Sequence, residues 1–187
     1  PRTKLIAWIH TDFMKQFSSN GVYKNTQEHF TTYLKYQKIV CCSLGVAEGF
    51  QERFHDAFSG KLVVKYNVID SDRILRWSNE TYAYSLNQGT FNIVCIGNMR
   101  KEKGYDRLLR ICHRLVQDGE RFHLTIVGGG SEFNEIEKLQ AKLDLDTTVT
   151  LLGNQENPYP YLKQADLFLL PSYLEGFSTV LIEAIIL

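Results

Sequence analysis

The sequence has no excess of charge of either sign, which argues against several classes of partner. Lysine and arginine together number 21, aspartate and glutamate together also number 21, and the net charge at pH 7 is zero. Proteins that bind nucleic acids or anionic membranes commonly carry a basic patch or stripe. The balanced composition therefore indicates neither a nucleic-acid partner nor a strongly basic membrane-binding surface.

The sequence also lacks the features of a membrane-spanning segment, a signal peptide or a metal-binding set of cysteines. No apolar run approaches the ~20 residues that span a bilayer, and the run at residues 5–9 is too short for the core of a signal peptide. The four cysteines, Cys41, Cys42, Cys95 and Cys112, do not have the spacing of a metal site. We therefore expect buried free thiols in a reducing, cytoplasmic environment.

The second half of the chain has a regular alternation of apolar runs and helical patterns. The pattern predicts strands at residues 91–96, 122–127, 149–152 and 167–170. It predicts helices at residues 105–117, from Ser131 onward, and briefly after Pro158. Such alternation is typical of a parallel sheet in a Rossmann-like domain. Ligands bind these sheets at the carboxyl ends of the strands, where Gly97, Gly128, Gly153 and Pro171 stand.

The first half alternates less regularly but in the same sense. Strands are predicted at residues 5–9, 38–42 and 62–65, and helices at residues 26–34 and 46–54. Residues 78–90 are polar, contain tyrosines and show no strong periodicity, so they indicate a connection between two domains. Pro1 stands just before a strand and Leu187 falls inside an apolar helix, so we expect the chain to be truncated at both ends.

The segment at residues 175–184 is the richest in chemistry. It follows a predicted buried strand, so that a loop carries Glu175 and a helix begins near Ser178. Ser178 is a good N-cap residue, because its hydroxyl can accept from an amide of the first turn. The amides of Thr179 and Val180 would then lie at a helix N-terminus, which attracts anions such as phosphate.

Two carboxylates, Glu175 and Glu183, flank this helix start. A carboxylate that accepts hydrogen bonds suits the hydroxyls of a sugar, and a helix N-terminus suits a phosphate. Together they suggest a sugar nucleotide as ligand. The alternative is a purely structural corner, in which Ser178 only caps a helix and the carboxylate is solvated.

The motif Glu175-Gly176-Phe177, with Glu183 eight positions after Glu175, resembles the Glu-x7-Glu signature of retaining glycosyltransferases with the GT-B fold, especially family 4. The similarity covers some twenty consecutive positions from Ala165-Asp166 onward. It implies an α/β fold of two Rossmann-like domains, both incomplete in this chain. Residues 1–88 would be the C-terminal part of the first domain with the connection, and residues 89–187 a truncated donor-binding domain.

The turn that follows residues 91–96 carries several cations. In the family, an arginine and a lysine of this turn clamp the diphosphate of the donor. Lys103 matches the lysine, but Asn98 stands where the arginine is expected. Arg100 or Lys101 could supply the missing charge, and the alternative is a solvated basic loop.

The resemblance also assigns the other site residues. Glu183 would hold the ribose hydroxyls, and Glu175 would bind the donor sugar and stabilise positive charge at its anomeric carbon. His10 looks like the family histidine that contacts the donor sugar, and the alternative is a capping or core histidine. The predicted donor-binding residues are Asn98, Arg100, Lys103, Gly153, Asn154, Gln155, Gly176, Phe177, Ser178, Thr179, Val180 and Glu183.

The implied enzyme moves a sugar from a UDP- or GDP-linked donor to a glycan or lipid-linked acceptor, with retention of configuration. It would serve polysaccharide biosynthesis at the cytoplasmic side, and peripheral membrane contact through segments outside this chain is left open. No cofactor and no metal are expected, because no Asp-x-Asp motif of the metal-dependent transferases is recognised. The alternatives are a sugar-nucleotide 2-epimerase-like isomerase and a non-catalytic nucleotide-sugar binding fragment. We expect the 187 residues alone to be a poor catalyst.

Overall fold

The computed structural model describes residues 3–10, 24–81, 86 and 89–187. These residues form an α/β structure with two parallel sheets, as the sequence predicts. Contacts divide the chain into two compact units. The first unit comprises residues Pro1–Val68 and Leu174–Ser178, and the second comprises Ile69–Tyr173 and Thr179–Leu187. The predicted boundary between family domains, at residues 88 and 89, stays a prediction.

The first unit contains a three-stranded parallel sheet in the order β1-β2-β3. Its strands are β1 (Ile6–Ile9), β2 (Lys38–Cys41) and β3 (Leu62–Val64), and its helices are α1 (Thr26–Leu34) and α2 (Leu44–Phe54). A 3-10 helix at His55–Phe58 follows α2. The register pairs Ile9 with Cys41, so the carboxyl ends of β1 and β2 lie at the same level.

The core of the first unit contains a cluster of aromatic rings. The rings of Phe50 and Phe54 lie 4.8 Å apart, and Tyr33 and Phe58 complete the cluster against the buried face of β2. His29 is buried among these rings, and its burial lowers its pKa, with a smaller contribution from the nearby Arg53 charge. His29 is therefore a core residue of α1, as its packing against these rings shows.

The second unit contains a four-stranded parallel sheet in the order β6-β5-β4-β7. Its strands are β4 (Phe91–Ile96), β5 (Phe122–Val127), β6 (Val149–Gly153) and β7 (Leu167–Phe168). Its α-helices are α3 (Ser71–Trp77), α4 (Tyr105–Gln117), α5 (Phe133–Lys142), α6 (Tyr159–Gln164) and α7 (Thr179–Ile186). Every residue of β5 is buried, as expected for a central strand of a parallel sheet covered on both faces.

Most predicted elements are present, and their differences from the sequence pattern have local causes. Helix α5 begins at Phe133, two residues later than predicted, and the amide of Glu132 just before it donates to the carbonyl of Met99. Strand β7 is shorter than predicted, since its ladder with β4 pairs only Ile93 with Leu167 and Val94 with Phe168. Helix α3 was not predicted.

The four cysteines are buried free thiols, as predicted. Burial raises the pKa of the Cys95 thiol to about 12 and that of the Cys41 thiol to about 11. Both thiols are therefore protonated at neutral pH and behave as small apolar side chains.

Candidate functional site

Three turns of the second unit meet at the carboxyl ends of β4, β5 and β6. The amide of Met99, after β4, donates to the carbonyl of Gly129 at 2.7 Å. The amide of Gly129 donates in turn to Oδ1 of Asn154 at 2.7 Å, and the amide of Gly128 donates to the carbonyl of Gly153, also at 2.7 Å. The three turns thus form one hydrogen-bonded surface at the edge where such sheets bind ligands.

The close approach of these turns requires a glycine at residue 128. Gly128 has a φ of 135°, and a Cβ there would overlap the carbonyl group of Gly97. This turn therefore has a geometric reason for its glycine that needs no ligand. Asn98, which replaces the expected arginine, has its side-chain oxygen directly against Gly130.

The turn that carries Lys103 is fixed against the loop after β7. A 3-10 helix at Lys101–Lys103 ends at Gly104, whose φ is 67°. A Cβ on Gly104 would lie 2.5 Å from the carbonyl oxygen of Pro171, so the two backbones nearly touch. The amide of Tyr173 also donates to the carbonyl of Glu102 at 2.7 Å.

Arg107 of α4 strengthens the same connection. Its guanidinium donates to the carbonyl of Pro171 and lies 4.2 Å from the centre of the Tyr173 ring. A cation over an aromatic ring and a hydrogen bond to the backbone together fix the loop from two sides. Lys103 and the loop that precedes Glu175 are therefore parts of one rigid corner within the second unit.

Arg100 has a different environment from the one proposed for a phosphate clamp. Its side chain is exposed, and its guanidinium lies 4.0 Å from the carboxylate of Glu102. The cavity that Arg100 lines, of about 320 Å³, has walls formed also by Lys101, Tyr105, Asp106, Glu132, Ile136 and Tyr173. Arg100 and Lys101 thus share this cavity with two carboxylates, which offset their positive charge.

The side chains after β6 support their own loop. Nε2 of Gln155 donates to the carbonyl of Leu152 at 3.0 Å, and the hydroxyl of Tyr161 lies 3.4 Å from Oε1 of Gln155. Asn154 holds the amide of Gly129, as described above. The side chains of Asn154 and Gln155 are thus both bonded to other protein groups, and they lie next to the backbone of Gly153 in this loop.

Helix α7 begins at Thr179, directly after Ser178, as the sequence predicts. Glu183, in the second turn of this helix, is half-buried, and its Oε1 lies 3.4 Å from the hydroxyl of Tyr159. Burial raises the pKa of the Glu183 carboxyl, and the hydrogen bond from Tyr159 works in the opposite direction. Val180 is partly buried, whereas Thr179 is exposed.

The segment Leu174–Ser178 belongs to the first unit. The hydroxyl of Ser43, which also accepts from the amide of Val46 and so caps α2, donates to the carbonyl of Gly176 at 2.9 Å. The ring of Phe177 lies 5.7 Å from that of Tyr66 and packs against the core of the first unit. The hydrogen bond from Ser43 and the aromatic contact of Phe177 thus both contribute to holding the Glu175-Gly176-Phe177 motif in the first unit.

His10 lies at the same edge of the first sheet as this motif. His10 directly follows β1, and Ser43 is the second residue after β2. The amide of Cys42, between β2 and Ser43, donates to the carbonyl of Ile9 at 3.1 Å. His10 is exposed, and its ring stacks on Trp8 with centroids 6.2 Å apart. The first unit therefore brings His10 and the segment with Glu175 to the carboxyl ends of neighbouring parallel strands.

The predicted site residues thus fall into two groups, one in each unit. The first unit holds His10 with residues 175–178, and the second holds residues 98–103, 153–155, 179–180 and 183. The sequence analysis missed Ser43, Arg107 and Tyr159. Ser43 could have been found as a serine between a strand and a helix, which is a typical N-cap position. Arg107 and Tyr159 act on residues far along the chain, so no local pattern indicates them.

Two Asp-x-Asp triplets do occur in the sequence, Asp70-Ser71-Asp72 and Asp144-Leu145-Asp146. Asp70 accepts from the amide of Arg73 at 2.9 Å and caps α3, and Asp144 takes a positive φ of 54° in the turn after α5. Within the described ranges, histidine, cysteine and acidic side chains form no group of three that could hold a metal ion. Metal independence stays a prediction. In the same ranges, no helix has the length and apolar character needed to cross a membrane.

Solved structures share this fold across nearly the whole chain. Staphylococcus aureus TarM, solved with fondaparinux, α-GlcNAc-glycerol and UDP, matches with a TM-score of 0.76 and 20% identity, over 98% of this chain and 35% of its own. Anabaena HepE, solved with UDP and glucose, matches with a TM-score of 0.75 and 16% identity, over 99% of this chain and 51% of its own. The fold is therefore the GT-B type, as predicted, and this chain carries part of it.

The chain belongs to the glycosyl transferases group 1, whose family model matches residues 79–187. It is 27% identical over 186 residues to an uncharacterized glycosyltransferase of Methanocaldococcus jannaschii, covering 98% of this chain and 46% of that protein. It is 35% identical over 125 residues, covering 67% of this chain and 32% of that protein, to N-acetylgalactosamine-N,N'-diacetylbacillosaminyl-diphospho-undecaprenol 4-alpha-N-acetylgalactosaminyltransferase of Campylobacter jejuni. The chain spans less than half the length of these two relatives.

Proposed function

We propose that the protein transfers a sugar from a UDP- or GDP-linked donor to a glycan or lipid-linked acceptor, with retention of anomeric configuration. The observation that carries this proposal is the hydrogen bond from Ser43 to the carbonyl of Gly176. It holds the Glu175-Gly176-Phe177 motif at the sheet edge where His10 lies, and the next residues lead directly into α7 with Glu183.

In this proposal the second unit binds the nucleotide. Lys103 and the first amides of α7, those of Thr179 and Val180, stabilise the negative charge that develops on the departing diphosphate. Glu183 accepts hydrogen bonds from the ribose hydroxyls, which is the chemistry of charge-assisted bonds. The loop of Gly153, Asn154 and Gln155 meets the nucleobase, mainly through its backbone, since the Asn154 side chain bonds to the turn after β5 and the Gln155 side chain bonds within the loop.

The first unit would supply the groups that act on the sugar. Glu175 binds donor-sugar hydroxyls and stabilises the positive charge that develops at the anomeric carbon. His10 contacts the same sugar from the end of β1. The substitution takes place on one face of the sugar, with the leaving phosphate assisting the deprotonation of the acceptor, and it needs no metal.

The relatives support the choice of substrates to be tested first. The name of the Campylobacter jejuni enzyme specifies transfer of N-acetylgalactosamine to a glycan on diphospho-undecaprenol, so lipid-linked glycans come first among the acceptors. TarM and HepE were both solved with UDP, so UDP-sugars come first among the donors. We also propose that the reaction takes place at the cytoplasmic side.

The test uses the full-length natural protein with a panel of UDP- and GDP-sugars and lipid-linked acceptors. NMR of the product gives the anomeric configuration. We expect transfer with retention, and a loss of about a hundredfold or more in turnover for Glu175→Ala, as for removal of a transition-state charge stabiliser. An inverted product would contradict the retaining mechanism. An epimerised donor, or binding of donor without any transfer, would replace the proposal by an isomerase or a binding protein.

A further inference from the structure

A tyrosine at the first position of α6 contacts the carboxylate proposed for the ribose. The hydroxyl of Tyr159 donates to Oε1 of Glu183, with 3.4 Å between the oxygens, and both side chains are partly buried. This bond is long for an O–H···O bond.

The tyrosine is itself held by α3 and the residues that follow it. Its amide donates to Oδ1 of Asn157 at 3.2 Å, and Nδ2 of Asn157 donates to the carbonyl of Trp77 at 2.8 Å and to Oε2 of Glu80 at 2.9 Å. The ring of Tyr159 lies 6.2 Å from the indole of Trp77. The guanidinium of Arg73 covers that indole at 3.9 Å. These contacts favour the position in which the Tyr159 hydroxyl faces Glu183.

We propose that Tyr159 is a positioning residue, which holds the carboxylate of Glu183 in the orientation that accepts hydrogen bonds from the ribose hydroxyls of the donor. This inference rests on the proposed function, since it concerns the same nucleotide site. It gives α3 and Asn157 a role in the site that no residue of the family motif indicates.

The electrostatics of the pair support this role. Burial raises the pKa of Glu183, and the hydrogen bond from Tyr159 lowers it, because a donor stabilises the charged form. The pKa of Tyr159 is raised by its burial and by the Glu183 charge, so its hydroxyl remains protonated and able to donate.

The elements that pack against α7 are α3 and α6. The charged residues on or beside α3 are Asp70, Asp72, Arg73, Arg76 and Glu80, and the one on α6 is Lys163. Arg73 lowers and Asp70 raises the pKa of Tyr159, and both do so less than Glu183 does. Lys163 donates to Oδ1 of Asn79. Tyr159 is the hydrogen-bonding partner that bears on the ionisation of Glu183.

The experiment compares Tyr159→Phe, Glu183→Gln and the double variant in the full-length natural protein. Binding of UDP and GDP is measured by calorimetry from pH 5 to 8. We expect Tyr159→Phe to weaken binding of the preferred nucleotide about three- to tenfold, the effect of one ordinary hydrogen bond. The double variant should bind no more weakly than Glu183→Gln alone, because the tyrosine acts through the glutamate.

A second readout follows the carboxyl carbon of Glu183 directly, by NMR titration of protein labelled with ¹³C at glutamate side chains. Its signal is assigned by its absence in Glu183→Gln. The midpoint should move to higher pH in Tyr159→Phe, and the loss of nucleotide binding in acid should move with it. Tyr161→Phe is the matched control. It removes a hydroxyl from the same helix, but that hydroxyl lies 3.4 Å from Oε1 of Gln155 and not beside Glu183. It should leave the Glu183 midpoint unchanged.

The outcomes separate this inference from the proposed function. An unchanged Glu183 midpoint together with unchanged affinity in Tyr159→Phe overturns the positioning role, while nucleotide binding by the wild type leaves the proposed function standing. Additive losses in the double variant also overturn it, because the tyrosine would then contact the ligand or act through folding. A wild type that binds neither UDP nor GDP overturns the proposed function and this inference with it.

Discussion

The two units hold their proposed site residues in different ways. In the second unit, backbone hydrogen bonds join the turns after β4, β5 and β6, and a glycine stands where another side chain would overlap a neighbouring backbone. In the first unit, the Glu175 segment depends on the hydroxyl of Ser43 and the ring of Phe177. The backbone arrangement in the second unit tolerates few substitutions. The contacts named in the first unit are made by side chains, which can be removed one at a time.

This difference fits the two tasks that we propose. A nucleotide is recognised by many weak contacts at fixed positions, so the surface that binds it gains from rigid turns. A catalytic carboxylate has to meet a sugar whose charge changes during the reaction. The side-chain contacts of its segment would set its position when the donor is bound.

The largest effect in this comparison is expected for Gly128→Ala. The new Cβ would overlap the carbonyl of Gly97 at a φ that L residues rarely adopt, so the turns after β4 and β5 would have to separate. We expect a loss of about 3 kcal/mol or more in the free energy of unfolding, from strain and overpacking together. Thermal or denaturant unfolding measures it.

Gly45→Ala is the matched control for this substitution. Gly45 lies in α2, and a Cβ there would have no neighbouring atom within 4 Å. Alanine is favoured over glycine in a helix by up to about 1 kcal/mol. Gly45→Ala should therefore leave the stability unchanged or raise it. A similar loss in both variants would show that the close approach of the turns at Gly128 has no energetic consequence.

The second expected effect is that of Lys103→Ala on nucleotide affinity. Lys103 ends the turn that is fixed against Pro171, and we propose that its ammonium group contacts the diphosphate. Its removal should weaken UDP or GDP binding by about 1.5–3 kcal/mol, the contribution of a hydrogen bond to a charged group. Binding of the corresponding nucleoside should change little. Equal losses for nucleotide and nucleoside would mean that Lys103 acts through the fold.

The sequence predicts the regular parts of this fold well, for reasons that particular elements show. Helix α4 has the predicted bounds because Leu108, Leu109 and Cys112 repeat at helical spacing and are all buried. Helix α3 was missed because it has seven residues and buries only Ile74, which leaves no periodicity to detect. Its start was marked only by Asp70, a good N-cap residue.

The candidate site was predictable as far as a local motif reaches. The position of Lys103 in a turn and the start of α7 after Ser178 follow from residues close together in the chain. The contacts that hold the site do not. Ser43 bonds to Gly176 across 133 positions, and Tyr159 contacts Glu183 across 24. Such pairs depend on how the elements pack, and one sequence carries no signal for them.

The third prediction tests the side-chain anchoring of the first unit. Ser43→Ala removes both the cap of α2 and the bond to Gly176. It should lower the free energy of unfolding by about 1 kcal/mol and should also reduce turnover. Ser43→Asp keeps an acceptor for the amide of Val46 but cannot donate to the Gly176 carbonyl. It should restore stability without restoring turnover. Full activity in Ser43→Asp would show that the bond to Gly176 has no part in placing Glu175.

The smallest effect is expected for Arg100→Ala. Arg100 is exposed, lies 4.0 Å from the Glu102 carboxylate, and lines a cavity that also contains Asp106 and Glu132. An exposed charge with such neighbours contributes about 1 kcal/mol or less, so nucleotide affinity should fall by no more than about fivefold at low salt. Asn98→Arg places a cation where the family has one. The Asn98 side chain lies against Gly130, so the new arginine would have to point away from Gly130 to reach a phosphate. A gain in affinity for Asn98→Arg, with little change for Arg100→Ala, would show that the missing arginine is not replaced. A loss for Arg100→Ala as large as that for Lys103→Ala would instead make Arg100 its substitute, and the rigid turn would then bind phosphate through two side chains.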